Sequence, residues 1–149
     1  MNDVAMGAFA RWLGVEMDEW REDHVRMSMK VRPEMLNRSG ILHGGVLTSL
    51  IDTAGGYAGT WCRKPGHIRQ GLTLSLTTQF TGQAKSGTIT AVAERRGGGR
   101  KTFFVDVSVT DEAGREIAYG SGVWRYRSGH EDPDGVPLAE VRAPERGAG

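Results

Sequence analysis

His43-Gly44-Gly45, followed by an apolar run that carries one carboxylate, Asp52, is the part of the chain whose residue types and spacing suit chemistry. A helix starting near Gly44 leaves its first backbone N–H groups without intrahelical partners and turns its positive dipole end outward, a setting that favours a developing oxyanion. Glycines there let a reacting group come close to the backbone. A carboxylate with an ordinary pKa of about 3.9 is ionised at neutral pH and can act as base or nucleophile. Asp52 comes eight residues after Gly44, which is roughly 12 Å along a helix axis. One helix cannot easily bring both groups to one reacting atom. A shared reaction therefore asks for two copies of the helix, one giving the N–H and the other the carboxylate, and a symmetric dimer provides this twice.

The elements that must hold these groups can be read from hydrophobic spacing. Ala5, Ala8, Phe9, Trp12 and Leu13 recur at helical steps up to Gly14, which predicts a short amphipathic helix. Val25, Met27, Met29 and Val31 alternate with polar residues, the period of a half-buried strand stopped by Pro33. Asn37 to Leu42 reads as loop. Val46, Leu47, Leu50, Ile51, Ala54 and Ala58 then keep helical spacing to about Trp61, giving one long helix. Downstream the period changes to two. Leu72, Leu74, Leu76 and Phe80 predict one strand, Ile89 to Ala93 a second, Phe103 to Val109 a third and Ile117 to Arg127 a fourth, joined by short turns. Such a run argues for an antiparallel meander with the long helix on one face, an α+β layer. Residues 1–127 are expected to form one domain, with 1–14 as its N-terminal helix. From Ser128 the Pro, Gly and acidic content predicts a flexible tail over 128–149.

Composition removes several classes of function. With 149 residues the chain suits one domain, and 19 Lys and Arg against 18 Asp and Glu create no strong field toward nucleic acid or membrane. The amino-terminal residues lack a leader pattern and no apolar stretch approaches the roughly 18 residues of a spanning helix, so a cytoplasmic location is expected. Cys62 is the single cysteine, and neither CxxC nor HExxH occurs. No metal or redox cofactor is expected. Cys62 reads as an inert thiol, having no convincing His partner.

The order of elements, with Asn37, His43-Gly44-Gly45 and Asp52-Thr53-Ala54 at this spacing, resembles the hotdog-fold acyl-CoA thioesterases of the phenylacetate-degradation, or PaaI-like, type. The resemblance runs from about Leu13 to Arg127. It implies a long central helix wrapped by a curved antiparallel sheet, and a homodimer or dimer-of-dimers tetramer with sites at subunit interfaces. It also implies hydrolysis of an acyl-CoA, aromatic or of short to medium chain, to free acid and CoA. Asp52 then matches the catalytic carboxylate and Gly44 the residue whose N–H polarises the thioester carbonyl. His43 and Asn37 match polar residues shaping that end, and Thr73 a position that orients water. The sequence departs from the commoner pattern in having Thr81-Gly82-Gln83-Ala84 where relatives often carry Arg-Pro-Ala.

Each of these residues also has a plainer reading. His43 can serve as a loop or capping residue, Asn37 as a turn residue, and Thr73 as an ordinary strand threonine. Gly55, Gly56 and Gly59 make the helix glycine-rich, which close backbone approach or room for an acyl group would explain. Arg95-Arg96-Gly97-Gly98-Gly99-Arg100-Lys101 admits a solvated hairpin, a contact for CoA phosphates through Gly98, Gly99, Arg100 and Lys101, or an RGG-like nucleic-acid segment, which lacks the usual interleaved aromatics. A non-catalytic acyl-CoA-binding module is the rival from another class, followed by a hydratase, for which a second acid or base is wanting.

Overall fold

The computed structural model describes residues 6–141. Residues 1–5, which include Ala5 of the expected first helix, and residues 142–149, the end of the expected tail, lie outside the described residues. Helix α1 (Ala8–Leu13) ends where Gly14 turns into the left-handed region, φ 80°, and donates its N–H back to Arg11. Strands β1 (Val15–Arg21) and β2 (His24–Lys30) form a hairpin, and a single turn of tight helix (Pro33–Met35) leads to the loop before α2 (Gly44–Gly59). After the short strand β3 (His67–Ile68) come the four long ones, β4 (Gly71–Phe80), β5 (Thr88–Gly98), β6 (Thr102–Thr110) and β7 (Glu116–Tyr126).

Six strands make one antiparallel sheet in the order β1-β2-β5-β6-β7-β4. Helix α2 lies on one face of it, with Leu47, Leu50, Ile51, Ala54 and Ala58 buried against Val25, Met27, Ile89, Val105, Val107 and Trp124. The helical spacing supplies one apolar stripe and the period-two strands supply the facing surface, so burial of these side chains holds the layer together.

Two parts depart from the sequence expectation. Strand β1 was not expected. Its alternation is broken between Met17 and Glu19, where the pairing with β2 shifts register, so that Trp20 rather than Glu19 sits opposite Val25. Residues 128–141, expected as the first part of a flexible tail, are packed instead. His130 is buried and its Nδ1 accepts from the Gln70 N–H at 3.2 Å, and β8 (Val136–Pro137) pairs with β3. Arg69 fastens this segment by donating to the carbonyls of His130 and Glu131 while stacking over Tyr126, 4.1 Å from the ring centroid.

Candidate active site

The amino end of α2 is organised by its own neighbours. His43 is the N-cap, in extended conformation, and its Nδ1 accepts the Gly45 N–H at 2.8 Å. Its carbonyl accepts from Val46 and Leu47 at 3.0 and 3.3 Å. Of the first-turn donors only the Gly44 N–H has no acceptor among the described residues. His43 thus spends one ring nitrogen on the cap and leaves Gly44, not Gly45, as the open donor. Asn37 is committed in a similar way. Its side-chain oxygen accepts from Ser39 and Ile41 at 2.9 and 3.2 Å, which closes the loop ahead of the helix. The Thr81-Gly82-Gln83-Ala84 turn braces that loop through Leu42 N–H to Ala84 carbonyl, 2.8 Å. Above Gly44 stands Phe80, whose ring would be 3.1 Å from a Cβ there. Ile41, Leu47, Phe80 and Gln83 are among the walls of a cavity of about 440 Å³ at this end.

Asp52 opens onto a different cavity. It is half-buried, and its Oδ1 accepts the Thr73 hydroxyl at 2.6 Å. Simple alternation along β4 puts Thr73 on the face opposite Leu76 and Phe80, away from whatever they bury. The pairing of β4 with β7 shifts register between Thr73 and Ser75, so Leu74 is an extra residue in the strand. Thr73 pairs with Trp124, Leu76 with Gly122, Thr78 with Gly120 and Phe80 with Ala118, all on the face of β7 that meets α2. One bulge therefore turns Thr73 toward Asp52 and leaves Leu72 and Leu74 exposed on a strand that the described residues pair along one edge only.

The cavity at Asp52, again about 440 Å³, is walled by Phe9, Trp20, Tyr57 and Trp124 and has Thr60, Arg69, Gln70 and Arg127 farther along. Tyr57 and Trp20 meet edge to face with centroids 5.3 Å apart, and the Trp20 indole donates to the Tyr57 carbonyl at 2.9 Å. Burial pushes the Tyr57 phenol above its ordinary pKa. Gly55 and Gly59 are explained by close approach: a Cβ at Gly55 would overlap the Trp124 ring and one at Gly59 the Phe103 ring. Gly56 differs, since a Cβ there would lie 3.6 Å from Trp124 Nε1, and it forms cavity wall. Trp20, Arg69 and Trp124 were not singled out from sequence. Nothing local marks them, because each reaches the cavity from an element far away in the chain.

Gly98, Gly99, Arg100 and Lys101 form the β5-β6 hairpin end, closed by Gly99 N–H to Thr102 carbonyl at 2.9 Å. Gly99 and Arg100 border a third cavity of about 250 Å³ with Arg63, Arg95 and the acids Glu22, Asp23 and Glu131, and Arg69 lines both this cavity and that of Asp52. Arg63 pairs with Glu22 at 2.6 Å and Arg95 with Asp23 at 3.4 Å, whereas Arg100 and Lys101 have no ion pair within 4.0 Å among the described residues. Cys62 is buried, its Sγ 3.1 Å from the Asp134 carbonyl oxygen. Among the described residues no three His, Cys, Asp or Glu side chains come together to hold a metal ion, and no helix is long and apolar enough to cross a membrane.

One long helix laid on an antiparallel sheet, with a capped Gly-Gly start and a carboxylate in its third turn, is the architecture of a hotdog-fold hydrolase. The thioesterase superfamily model matches residues 39–118, which include His43, Gly44, Asp52 and Thr73, and the chain belongs to that superfamily. The chain is 31% identical over 116 residues to the acyl-coenzyme A thioesterase PaaI of Escherichia coli, covering 77% of this chain and 79% of the relative. The solved structure of E. coli PaaI superposes with a TM-score of 0.73 at 30% identity, over 81% of this chain and 85% of that one. A Streptococcus pneumoniae thioesterase solved with coenzyme A gives a TM-score of 0.67 at 27% identity, over 76% and 85%. The protein is a PaaI-like hotdog hydrolase, and its class of reaction is thioester hydrolysis.

Proposed function

We propose that two copies of this chain together hydrolyse an acyl-CoA to free acid and CoA, with Asp52 of one chain and the Gly44 N–H of the other converging on the thioester. The observation that carries this reading is the division of the machinery: the open Gly44 N–H and the Thr73–Asp52 pair border two separate cavities on one chain. Strand β4 supplies a means of pairing. It is ten residues long, lies at the sheet edge and exposes Leu72 and Leu74, features that a solitary chain would need to protect. Pairing of β4 with its copy makes a dimer, and a further pairing a dimer of dimers. The acyl-CoA class is favoured by the PaaI relative, named an acyl-coenzyme A thioesterase, and by the neighbour solved with coenzyme A.

In this arrangement the thioester oxygen accepts from Gly44 N–H, which strengthens as the tetrahedral oxyanion forms. Thr73 donates to Oδ1 of Asp52 and leaves Oδ2 for the reaction. As base, Oδ2 takes a proton from water while the hydroxide adds to the carbonyl carbon; as nucleophile, it adds directly and water later cleaves the anhydride. Either way the carbon–sulfur bond breaks and CoA leaves as thiolate. His43 and Asn37 act as positioning residues for Gly44. Arg100 and Lys101, with Gly98 and Gly99 permitting the tight hairpin, are the residues assigned to the CoA phosphates.

The test is Asp52→Asn in a folded, normally assembled variant. Thiol release from the best acyl-CoA is expected to fall by about 10²–10⁴-fold. An unchanged rate removes Asp52 from the mechanism, and acyl-CoA binding by the wild type with no thiol release across an aromatic and aliphatic panel favours a binding module instead.

A further inference from the structure

The cavity beside Asp52 holds one polar group that the proposed reaction does not use. Trp124 is 1% exposed, and its six-membered ring fills the notch left by Gly55 and by Gly122, whose Cβ would stand 2.8 Å from it. The pyrrole edge of the indole runs beside Gly56, with Nε1 3.6 Å and Cδ1 3.8 Å from the place of a Cβ there, and Asp52, Gly56, Thr73 and Trp124 line one cavity. Trp20 offers a contrast in the same wall, for its N–H is already spent on the Tyr57 carbonyl. The Trp124 N–H has no acceptor among the described residues. Nor is it sealed in the core: the fully buried side-chain polar atoms without a hydrogen bond among the described residues are His24 Nδ1 and His67 Nδ1. Buried tryptophan N–H groups normally find an acceptor, because leaving one dry and unpaired is unfavourable. Here the open side is the space that an acyl group would fill.

We propose that Trp124 determines specificity, its Nε1–H donating to an acceptor oxygen carried on the acyl group, so that the substrates are acyl-CoAs bearing a keto, ether or hydroxyl oxygen beyond the thioester. The inference rests on the hydrolase reading of Asp52. Gly56 follows Asp52 by four residues, about 6 Å along the helix, so an acyl chain with its carbonyl at Asp52 passes the indole several bonds farther on. An indole N–H only donates, which makes a keto oxygen, able only to accept, the cleanest probe.

Thiol release from 5-oxohexanoyl-CoA and hexanoyl-CoA tests this. In the wild type kcat/KM is expected to favour the keto substrate by about tenfold, the worth of one neutral hydrogen bond gained in a dry site. Trp124→Phe lowers both values through lost packing and brings their ratio to about one. Should that variant not fold, Gly56→Ala keeps the indole in place while setting a methyl against the N–H, and is expected to shrink the ratio. In ¹⁵N-labelled wild type, the Trp124 indole resonance is expected to shift with 5-oxohexanoate and not with hexanoate. A wild-type ratio near one, or a ratio that survives both substitutions, overturns the assignment while leaving the hydrolase reading intact. No thiol release from either substrate or from the wider panel is the separate failure of the hydrolase reading, and this inference falls with it.

Discussion

The two stretches of α2 that face solvent-filled space are held in opposite ways. At its amino end the helix is shaped chiefly by residues next to it in sequence, where His43 caps Gly45 and Asn37 closes a loop of its own neighbours, with one brace from Ala84 to Leu42. Around Asp52 the decisive contacts come from afar, with Thr73 reaching across from β4 and Trp124 and Phe103 pressing into Gly55 and Gly59 from β7 and β6. A local device can be exchanged for another local device that makes the same bond. A packed one tolerates almost no change of volume, because the surrounding rings are fixed by the sheet.

The largest effect that bears on this contrast is expected from Gly44→Pro. It removes the open N–H at a first helical position where proline is otherwise accepted, and should lower kcat by about 10²-fold or more. Mixed statistically with Asp52→Asn chains, it is expected to regain about a quarter of wild-type activity, since half of the dimers then hold one intact composite site. Two folded, exchanging variants that regain nothing would place both groups in a single chain.

Next in size are the packed glycines. Gly55→Ala and Gly59→Ala should each cost about 1–3 kcal/mol by overpacking against Trp124 and Phe103. Gly56→Ala, which meets only ordinary contact distances, should be neutral or stabilise by up to about 1 kcal/mol through helix propensity. Denaturant unfolding of the three variants checks this, and equal losses would mean that ring contact is not what selects glycine.

Smaller changes are expected at the periphery of each stretch. Replacing Arg100 and Lys101 together by alanine should raise KM for acyl-CoA about threefold to tenfold, as for exposed charge contacts, and leave that for the matching pantetheine thioester alone; equal shifts would end the phosphate role. His43→Ala should lose about 1 kcal/mol with the cap, whereas His43→Asn should keep the stability and most of the rate. A large loss of rate in a stable His43→Asn enzyme would give the imidazole a direct part in proton transfer.

Much of this molecule was legible because its signals are local. The apolar spacing of Leu47, Leu50, Ile51, Ala54 and Ala58 depends on contacts three and four residues apart, and the glycine pair after His43 marks the helix start. The strands from β4 to β7 were equally plain in their period of two. Strand β1 was hidden because a register shift interrupts its alternation among Glu16, Asp18 and Glu19, and residues 128–141 because turn-rich composition says nothing about a distant partner such as β3.

From the chain alone came the long capped helix, its Gly44 donor, the carboxylate eight residues on and the expectation of a second copy, all argued from helix rise and end chemistry. Only the tertiary structure decided which way Thr73 faces and what shares its cavity. The extra residue Leu74 reverses the strand's parity just where β4 passes Asp52, and the pairing of β4 with β7 that creates the bulge also brings Trp124 alongside. Register between strands far apart in sequence is set by the packing of the whole sheet on α2, so no local pattern could have carried it.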